Sequence, residues 1–198
     1  VTGQIIPGKT EGTNFTGSLL VGHATTGTLN AASNNTGVGI AALDALTSGD
    51  SNTAIGYQSG TKITTGGNNT AIGETSLFLN TSGSSNTAMG HQSLYALASG
   101  SNNTAVGRVA LSSTTGDNNV GIGKSAGSNI TSGDGNVIIG VNTNADSATG
   151  DRQLKISGND GSTATTWISG DSSGNVTVAG TLTTSSGLVA AQADVTAL

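Results

Sequence analysis

A short motif recurs every 17 residues along most of this chain and constrains its fold more than any other feature. The motif is Asn-[Thr/Val]-[Ala/Gly/Ile]-[Ile/Val/Met]-Gly, and a degenerate copy, SLLVG, occupies residues 18–22. A second glycine lies seven residues before most closing glycines, and a leucine follows several of them by four residues. Eight units therefore run from about residue 18 to residue 145. The seven clear copies begin at Asn35, Asn52, Asn69, Asn86, Asn103, Asn119 and Asn136.

A unit of 17 residues is too short for a pair of helices, which needs about 34 residues. Glycine and asparagine stand at fixed turn-like offsets, with β-branched residues between them. The unit therefore predicts an all-β solenoid, or β-roll, in which each coil has two short strands and two turns. Coils that stack at about 4.8 Å would make a rod segment of about 38 Å from eight units.

Alternation along each NTAIG strand predicts two different faces. Thr70 and Ile72 are expected to line the interior, because their column is mostly apolar. Ala71 is expected on the opposite face, where small residues would let a neighbouring subunit approach closely. The second strand is predicted at segments such as Ser76-Leu77. Further apolar residues are expected to fill the other wall of a narrow core, namely Leu46, Ile63, Leu97 and Ile130.

The repeated asparagine predicts a hydrogen-bonded ladder. One asparagine per coil would stack in a column, in which each amide bonds the next. This chain needs such a device, because more than half of its residues are Gly, Thr, Ser or Asn and only 33% are hydrophobic. The ladder residues are those that open the seven motif copies.

Composition excludes several classes of function. Six basic residues and a net charge of −5 exclude nucleic-acid binding through a basic face. The absence of cysteine excludes disulfides and thiolate metal sites. No apolar run approaches the ~18 residues of a membrane helix, so no membrane insertion is expected in this segment. A thick core around a buried active site is not expected either.

The ends of the chain depart from the repeat. Residues 1–17 are predicted to be an N-terminal segment, and 146–187 a β-rich transition segment with strands at LKIS, TWIS and NVTVAGTLT. Within the transition segment, Trp167 is expected to be a core or interface anchor. The spacing of apolar residues in 188–198 predicts the start of a coiled coil.

Candidate catalytic and ligand-binding residues are few. Asp117 and Asp134 occupy equivalent positions in adjacent coils, about 5 Å apart by strand spacing, which is within reach of a retaining glycosidase pair or a weak Ca²⁺ site. Both follow a turn glycine and are expected to be solvated, so no catalytic residue, cofactor or metal is predicted. The position after the closing glycine varies most and predicts an outer surface. Its residues suited to contacting a glycan or protein are Tyr57, His91 and Arg108.

The motif resembles those of two known families. NTAIGxxxL repeats followed by TTWISGDSSGNVTVAGTLTTS resemble the shaft regions of bacteriophage tail-fibre proteins, many of which lead to a C-terminal intramolecular chaperone. The repeats are also similar to the NSVAIGxxS repeats in the heads of trimeric autotransporter adhesins. The second resemblance implies a left-handed parallel β-roll with three chains per head.

These resemblances imply a structural function. The chain is expected to be a segment of a homotrimeric phage tail fibre that acts as a rigid spacer in the virion, joins other fibre or tail proteins and contributes to host attachment. The alternative is the head of a trimeric adhesin on a bacterial surface that binds host matrix or glycans. A capsule depolymerase and an ice-binding solenoid are the two further hypotheses. The threonines form no regular TxT array in every coil, which weighs against the ice-binding hypothesis.

Overall fold

The computed structural model describes residues 8–9, 15–22, 31–180, 182–184 and 187–190. This part of the chain consists of short strands, turns and bends, and it contains no helix. The strands are β1 Gly8–Lys9, β2 Phe15–Thr16, β3 Leu19–Val21, β4 Ala32–Ser33, β5 Thr36–Val38, β6 Thr53–Ile55, β7 Thr70–Ile72, β8 Thr87–Met89, β9 Thr104–Val106, β10 Val120–Ile122, β11 Val137–Ile139, β12 Leu154–Asn159, β13 Ala164–Gly170, β14 Val176–Val178, β15 Leu182–Thr184 and β16 Gly187–Ala190.

The repeat folds into a β-solenoid, in which each coil contributes one strand to a continuous sheet. Strands β3 and β5 to β11 pair in parallel and in register, so that Ala54 lies opposite Ala71 and Ile55 opposite Ile72. The sheet has twelve strands and runs from β1 through these strands to β12, β13 and β14. This confirms the prediction of an all-β solenoid of about eight coils with a spacing of about 17 residues.

The second strand predicted for each coil is not present. The segment that contains Ser76 and Leu77 forms turns, and Leu77 has φ 51°, in the left-handed region that a strand does not accommodate. Its backbone still bonds the next coil, because Leu77 N donates to Ser93 O at 2.9 Å. Gly60 and Gly127 replace this leucine in two coils and have φ 57° and 62°. The same left-handed conformation therefore explains why leucine and glycine alternate at one position.

The two faces of the strand are the reverse of the prediction. Ala71 is 1% exposed and lies in the core, whereas Ile55 and Met89 are each 41% exposed on the outer side. The reason is the width of the interior, which leucines from the opposite wall already fill. At Gly121, for example, an added Cβ would lie 2.6 Å from Cγ of Leu111. From β5 to β10 the inner position therefore holds only alanine or glycine, and the larger aliphatic residue of the strand points outward. The two end strands differ, because Leu20 in β3 and Ile138 in β11 fill the inner position and are fully buried, Ile138 beside Gly127.

The wall opposite the strands forms the rest of the core, as predicted. Its large side chains are at most 1% exposed and come from the turn segments of successive coils. They are Leu43, Leu46, Ile63, Leu77, Leu94, Leu97, Leu111 and Ile130.

Val109 is a point of backbone strain that a substitution should relieve. Its φ of 62° is unfavourable for a β-branched side chain, and Asn142, which occupies the equivalent position two coils later, has φ 52°. We expect Val109→Asn to stabilise the fold by about 1 kcal/mol and to raise the melting temperature by about 2–4 °C. Thermal unfolding followed by circular dichroism measures the shift. The control Val141→Asn, at an exposed valine, should bring no gain; an equal rise in both variants would contradict the strain argument.

The 17-residue register continues into the predicted transition segment. Strand β12 pairs in parallel with β11, with Leu154 opposite Val137. Strands β13 and β14 then add to the sheet in antiparallel orientation. At the other end, β1 pairs with β3 in antiparallel orientation and β2 pairs with β4 in parallel.

The predicted start of a coiled coil is not seen where the chain is described. Leu188 belongs to β16, which pairs with β15 in antiparallel orientation, so residues 188–190 are extended and not helical. The remainder of that prediction, 191–198, lies outside the described residues. So do residues 1–7 and 10–14 of the N-terminal segment.

Candidate functional site

The seven motif asparagines form one buried column through the solenoid. Each is at most 1% exposed. In a middle coil, Asn69 Nδ2 donates to Asn52 Oδ1 at 3.0 Å and to Gly83 O at 2.9 Å. Asn69 Oδ1 accepts from the backbone N and from Nδ2 of Asn86, at 3.0 and 3.1 Å. The amide therefore links three consecutive coils, and its hydrogen bonds take the place of apolar packing.

The column extends one coil beyond the asparagines at each end. Ser18 Oγ accepts from Asn35 N at 2.7 Å, and Gln153 Nε2 donates to Asn136 Oδ1 at 3.1 Å. Gln153 Nε2 also donates to Gly150 O. Gly150 lies 17 residues after Gly133, the turn glycine three residues before Asn136. Sequence reasoning missed this ninth position, because glutamine there does not match the asparagine motif. The preserved spacing of 17 was the signal that could have found it.

The predicted surface residues lie in one outward column but do not converge on a site. Tyr57 and Arg108 are exposed and His91 is half-buried. Backbone bonds keep the column in register, since Val109 N donates to His91 O at 2.9 Å. Glu74 stands between the tyrosine and the histidine. His91 Nδ1 is buried and has no hydrogen-bond partner among the described residues. The column offers a mixed row of side chains.

The aspartates considered for catalysis serve the backbone of neighbouring coils. Asp117 Oδ1 accepts from Ser101 N at 2.6 Å, and Asp134 Oδ1 accepts from Asp117 N at 2.7 Å. Ser84 makes the same bond with its hydroxyl, to Gly67 N at 3.1 Å. Both aspartates are exposed. No group of three or more His, Cys, Asp or Glu side chains that could hold a metal ion occurs in the described part of the chain.

The third residue of each strand from β5 to β11 has an apolar side chain, and these side chains form a continuous exposed line, which we name the outer aliphatic column. Its members stack in register from coil to coil and would extend over about 29 Å at the usual strand spacing. Five of them are 36–41% exposed and the other two half-buried. Such a line of apolar groups is typical of an interaction surface. The column consists of Val38, Ile55, Ile72, Met89, Val106, Ile122 and Ile139.

A second surface feature lies on the hairpin formed by β12 and β13. Trp167 is 53% exposed, so it is not a core anchor, and the alternative that it anchors an interface stays a prediction. Its indole forms the bottom of an open pocket of about 630 Å³ at the turn end of the hairpin. The pocket is lined by Gly158, Asn159, Asp160, Thr163, Thr165 and Trp167. Sequence reasoning missed this pocket, because the bulge that presents the indole depends on strand pairing.

The turn that borders this pocket carries a carboxylate that remains ionised. Hydrogen bonds from the backbone N–H groups of Thr163 and Ser162 hold the pKa of Asp160 below its usual range. Asp171, in the turn after β13, has a pKa lowered in the same way, chiefly by the side chain of Asn175. A lowered pKa stabilises the fold above the usual carboxyl pKa, and this contribution disappears as pH falls through the lowered value.

Two kinds of surface therefore stand out: the long apolar column along the coils and the small aromatic pocket beyond them.

In the described part of the chain, none of the elements is a helix that is long and apolar enough to cross a membrane. Neither a family model, nor a curated protein, nor a solved structure matches this chain.

Proposed function

We propose that this chain is a structural segment of a homotrimeric fibre, of the kind found in phage tail fibres, and that it acts as a rigid spacer in a virion appendage. The observation that carries the proposal is the outer aliphatic column. A folded single chain that leaves seven stacked aliphatic residues partly exposed gains from burying them against further copies of itself.

The geometry of the column suits parallel association. Because its members lie one above another along the solenoid, parallel chains can bury the whole column around a common axis. Closed rotational symmetry satisfies every chain equally, as in most homo-oligomers. The number three and the left-handed coil follow from the resemblance to trimeric adhesin heads. The interface differs from the first expectation, since it uses the aliphatic column and not Ala71.

Rigidity is the second part of the proposed role. Backbone and amide hydrogen bonds join each coil to both neighbours, so the segment resists bending between coils. A spacer of this type needs no catalysis and no cofactor. In the fibre it would join other fibre or tail proteins end to end and carry a host-binding tip.

Light scattering on the purified chain tests the assembly directly. We expect a mass of three chains, each 19.1 kDa. A single-chain mass at concentrations well above micromolar would contradict the trimer. Immunogold electron microscopy with antibodies against the coils then tests the location. Label along the tail fibres of intact phage supports the proposal, whereas label on bacterial cells supports the adhesin alternative.

A further inference from the structure

We propose that the pocket at Trp167 is a binding site for a neutral pyranose saccharide. The proposal deepens the attachment role given above and rests on it for its biological purpose. The pocket itself is argued from five observations: the exposed indole, the bulge that presents it, the glycine beneath it, the polar groups around it and its charge.

The pairing of β12 with β13 determines where the indole lies. Ser157 pairs with Thr166 and Ile156 with Ile168, so Trp167 is the extra residue of a β-bulge in β13. Bulges of this kind re-aim a side chain next to functional sites. The backbone at the bulge is nevertheless firmly held, because Trp167 O accepts from Ala179 N at 2.8 Å. A fixed backbone under an exposed ring gives a rigid platform.

One face of the indole rests on the hairpin and leaves the other available. Gly158 lies directly under the ring, and a side chain there would overlap Cζ2 of Trp167. With 53% of the residue still exposed, about half of the ring surface faces solvent. A flat aromatic surface of this type packs well against the C–H face of a pyranose ring.

Polar groups with free hydrogen-bonding capacity surround this platform. Asp160 Oδ1 is used by the turn, but Oδ2 has no partner in the described part of the chain. Asn159 Oδ1 accepts from Gly161 N at 2.8 Å, which leaves its Nδ2 as a donor. The hydroxyls of Thr163 and Thr165 complete the rim. Sugar hydroxyls donate and accept at once, so this mixture of one anionic acceptor, one amide and two hydroxyls complements them.

Charge and shape disfavour other ligands. Nucleobases also stack on aromatic rings, but their phosphates would meet the ionised Asp160 on a chain of net charge −5. An apolar peptide needs an enclosed hydrophobic groove, whereas this pocket is open and Trp167 is its one large apolar side chain.

The experiment uses the full chain and its only tryptophan as the reporter. Acrylamide should quench the fluorescence of the assembled protein, as expected for an exposed indole. Lactose, cellotriose and chitotriose are then titrated, with polysialic acid and tetramethylammonium as anionic and cationic controls. We expect at least one neutral sugar to saturate with a dissociation constant of about 1 mM and to protect the indole from acrylamide.

Calorimetry on variants assigns the binding to the pocket. Trp167→Ala should weaken it at least about tenfold, and Trp167→Tyr should restore part of the loss. Asp160→Asn should weaken binding about three- to tenfold, because the amide keeps the turn acceptor but replaces Oδ2 by a donor. The matched control Asp171→Asn lies in an equivalent aspartate-capped turn outside the pocket and should leave binding unchanged.

The saccharide site would be overturned if none of the three sugars binds at concentrations up to about 10 mM. Binding that Trp167→Ala does not weaken would overturn it too, and so would an indole that acrylamide cannot reach in the assembled protein. Preference for polysialic acid or tetramethylammonium would overturn it as well. A trimer that binds none of the sugars rejects this site and keeps the fibre proposal. A single chain that binds sugar supports this site and contradicts the fibre proposal.

Discussion

Replacing both Ile55 and Met89 by glutamate is expected to convert the proposed three-chain assembly into single chains. Each residue is 41% exposed in the isolated chain, so the fold of the coil tolerates a charged side chain there. Around the axis of the proposed trimer, the same substitutions would place three carboxylates in each of two coils in an apolar environment. Burying unpaired charges costs far more than the contact can offset. Light scattering should show the mass fall from about three times 19.1 kDa to 19.1 kDa.

The control for this experiment is Leu79→Glu. Leu79 is 38% exposed but lies in the turn segment, outside the outer aliphatic column. The fibre proposal expects this variant to remain a trimer, and circular dichroism should show native coils in both variants. A double variant that stays trimeric would show that the column is not the interface. Loss of the trimer in Leu79→Glu alone would place the interface on the opposite wall.

Asn69→Ala is expected to destabilise the solenoid by about 3 kcal/mol. The substitution removes four hydrogen bonds, two donated by Asn69 Nδ2 and two accepted by its Oδ1. The backbone N–H of Asn86 loses its acceptor in a site with no exposed surface. A buried donor without a partner carries its desolvation penalty in full, typically about 1–3 kcal/mol. Thermal unfolding of the variant measures the loss.

Hydrogen exchange adds a local test of the same prediction. Because coils contact only their neighbours, the loss should be concentrated in the coils beside Asn69. Asn144→Ala is the matched control, since Asn144 is exposed and accepts only a long bond of 3.5 Å from Ser128. Its effect should stay within about 0.5 kcal/mol. Equal stability of the two variants would remove the ladder from the account of how this polar chain stays folded.

The repeat could be predicted because its physical requirements are local. A closing glycine such as Gly90 has φ 134°, and a Cβ there would lie 2.6 Å from the backbone of Gly107 in the next coil. Both constraints recur from coil to coil, and they therefore require glycine at the same position of the repeat. The buried leucines of the far wall were readable for the same reason, since only one side of a narrow core can hold them.

The face of the strand could not be predicted in this way. Alternation shows that Ala71 and Ile72 point to opposite sides, but it does not show which side is the interior. The usual rule that larger aliphatic residues point inward failed, because Leu77 and its equivalents already occupy the space. That outcome depends on the distance between two walls of the coil, which is a property of the closed structure.

The sequence alone thus determined the coil, its period and the residues that stack between coils, since these depend on conformations that each unit must adopt by itself. Only the tertiary structure decided which face of the sheet is left exposed and that Trp167 stands on a bulge beside polar groups. Both features depend on how separate segments pair and fill space. Strand register and the width of the interior fix those relations, and neither is encoded in a single unit of the repeat.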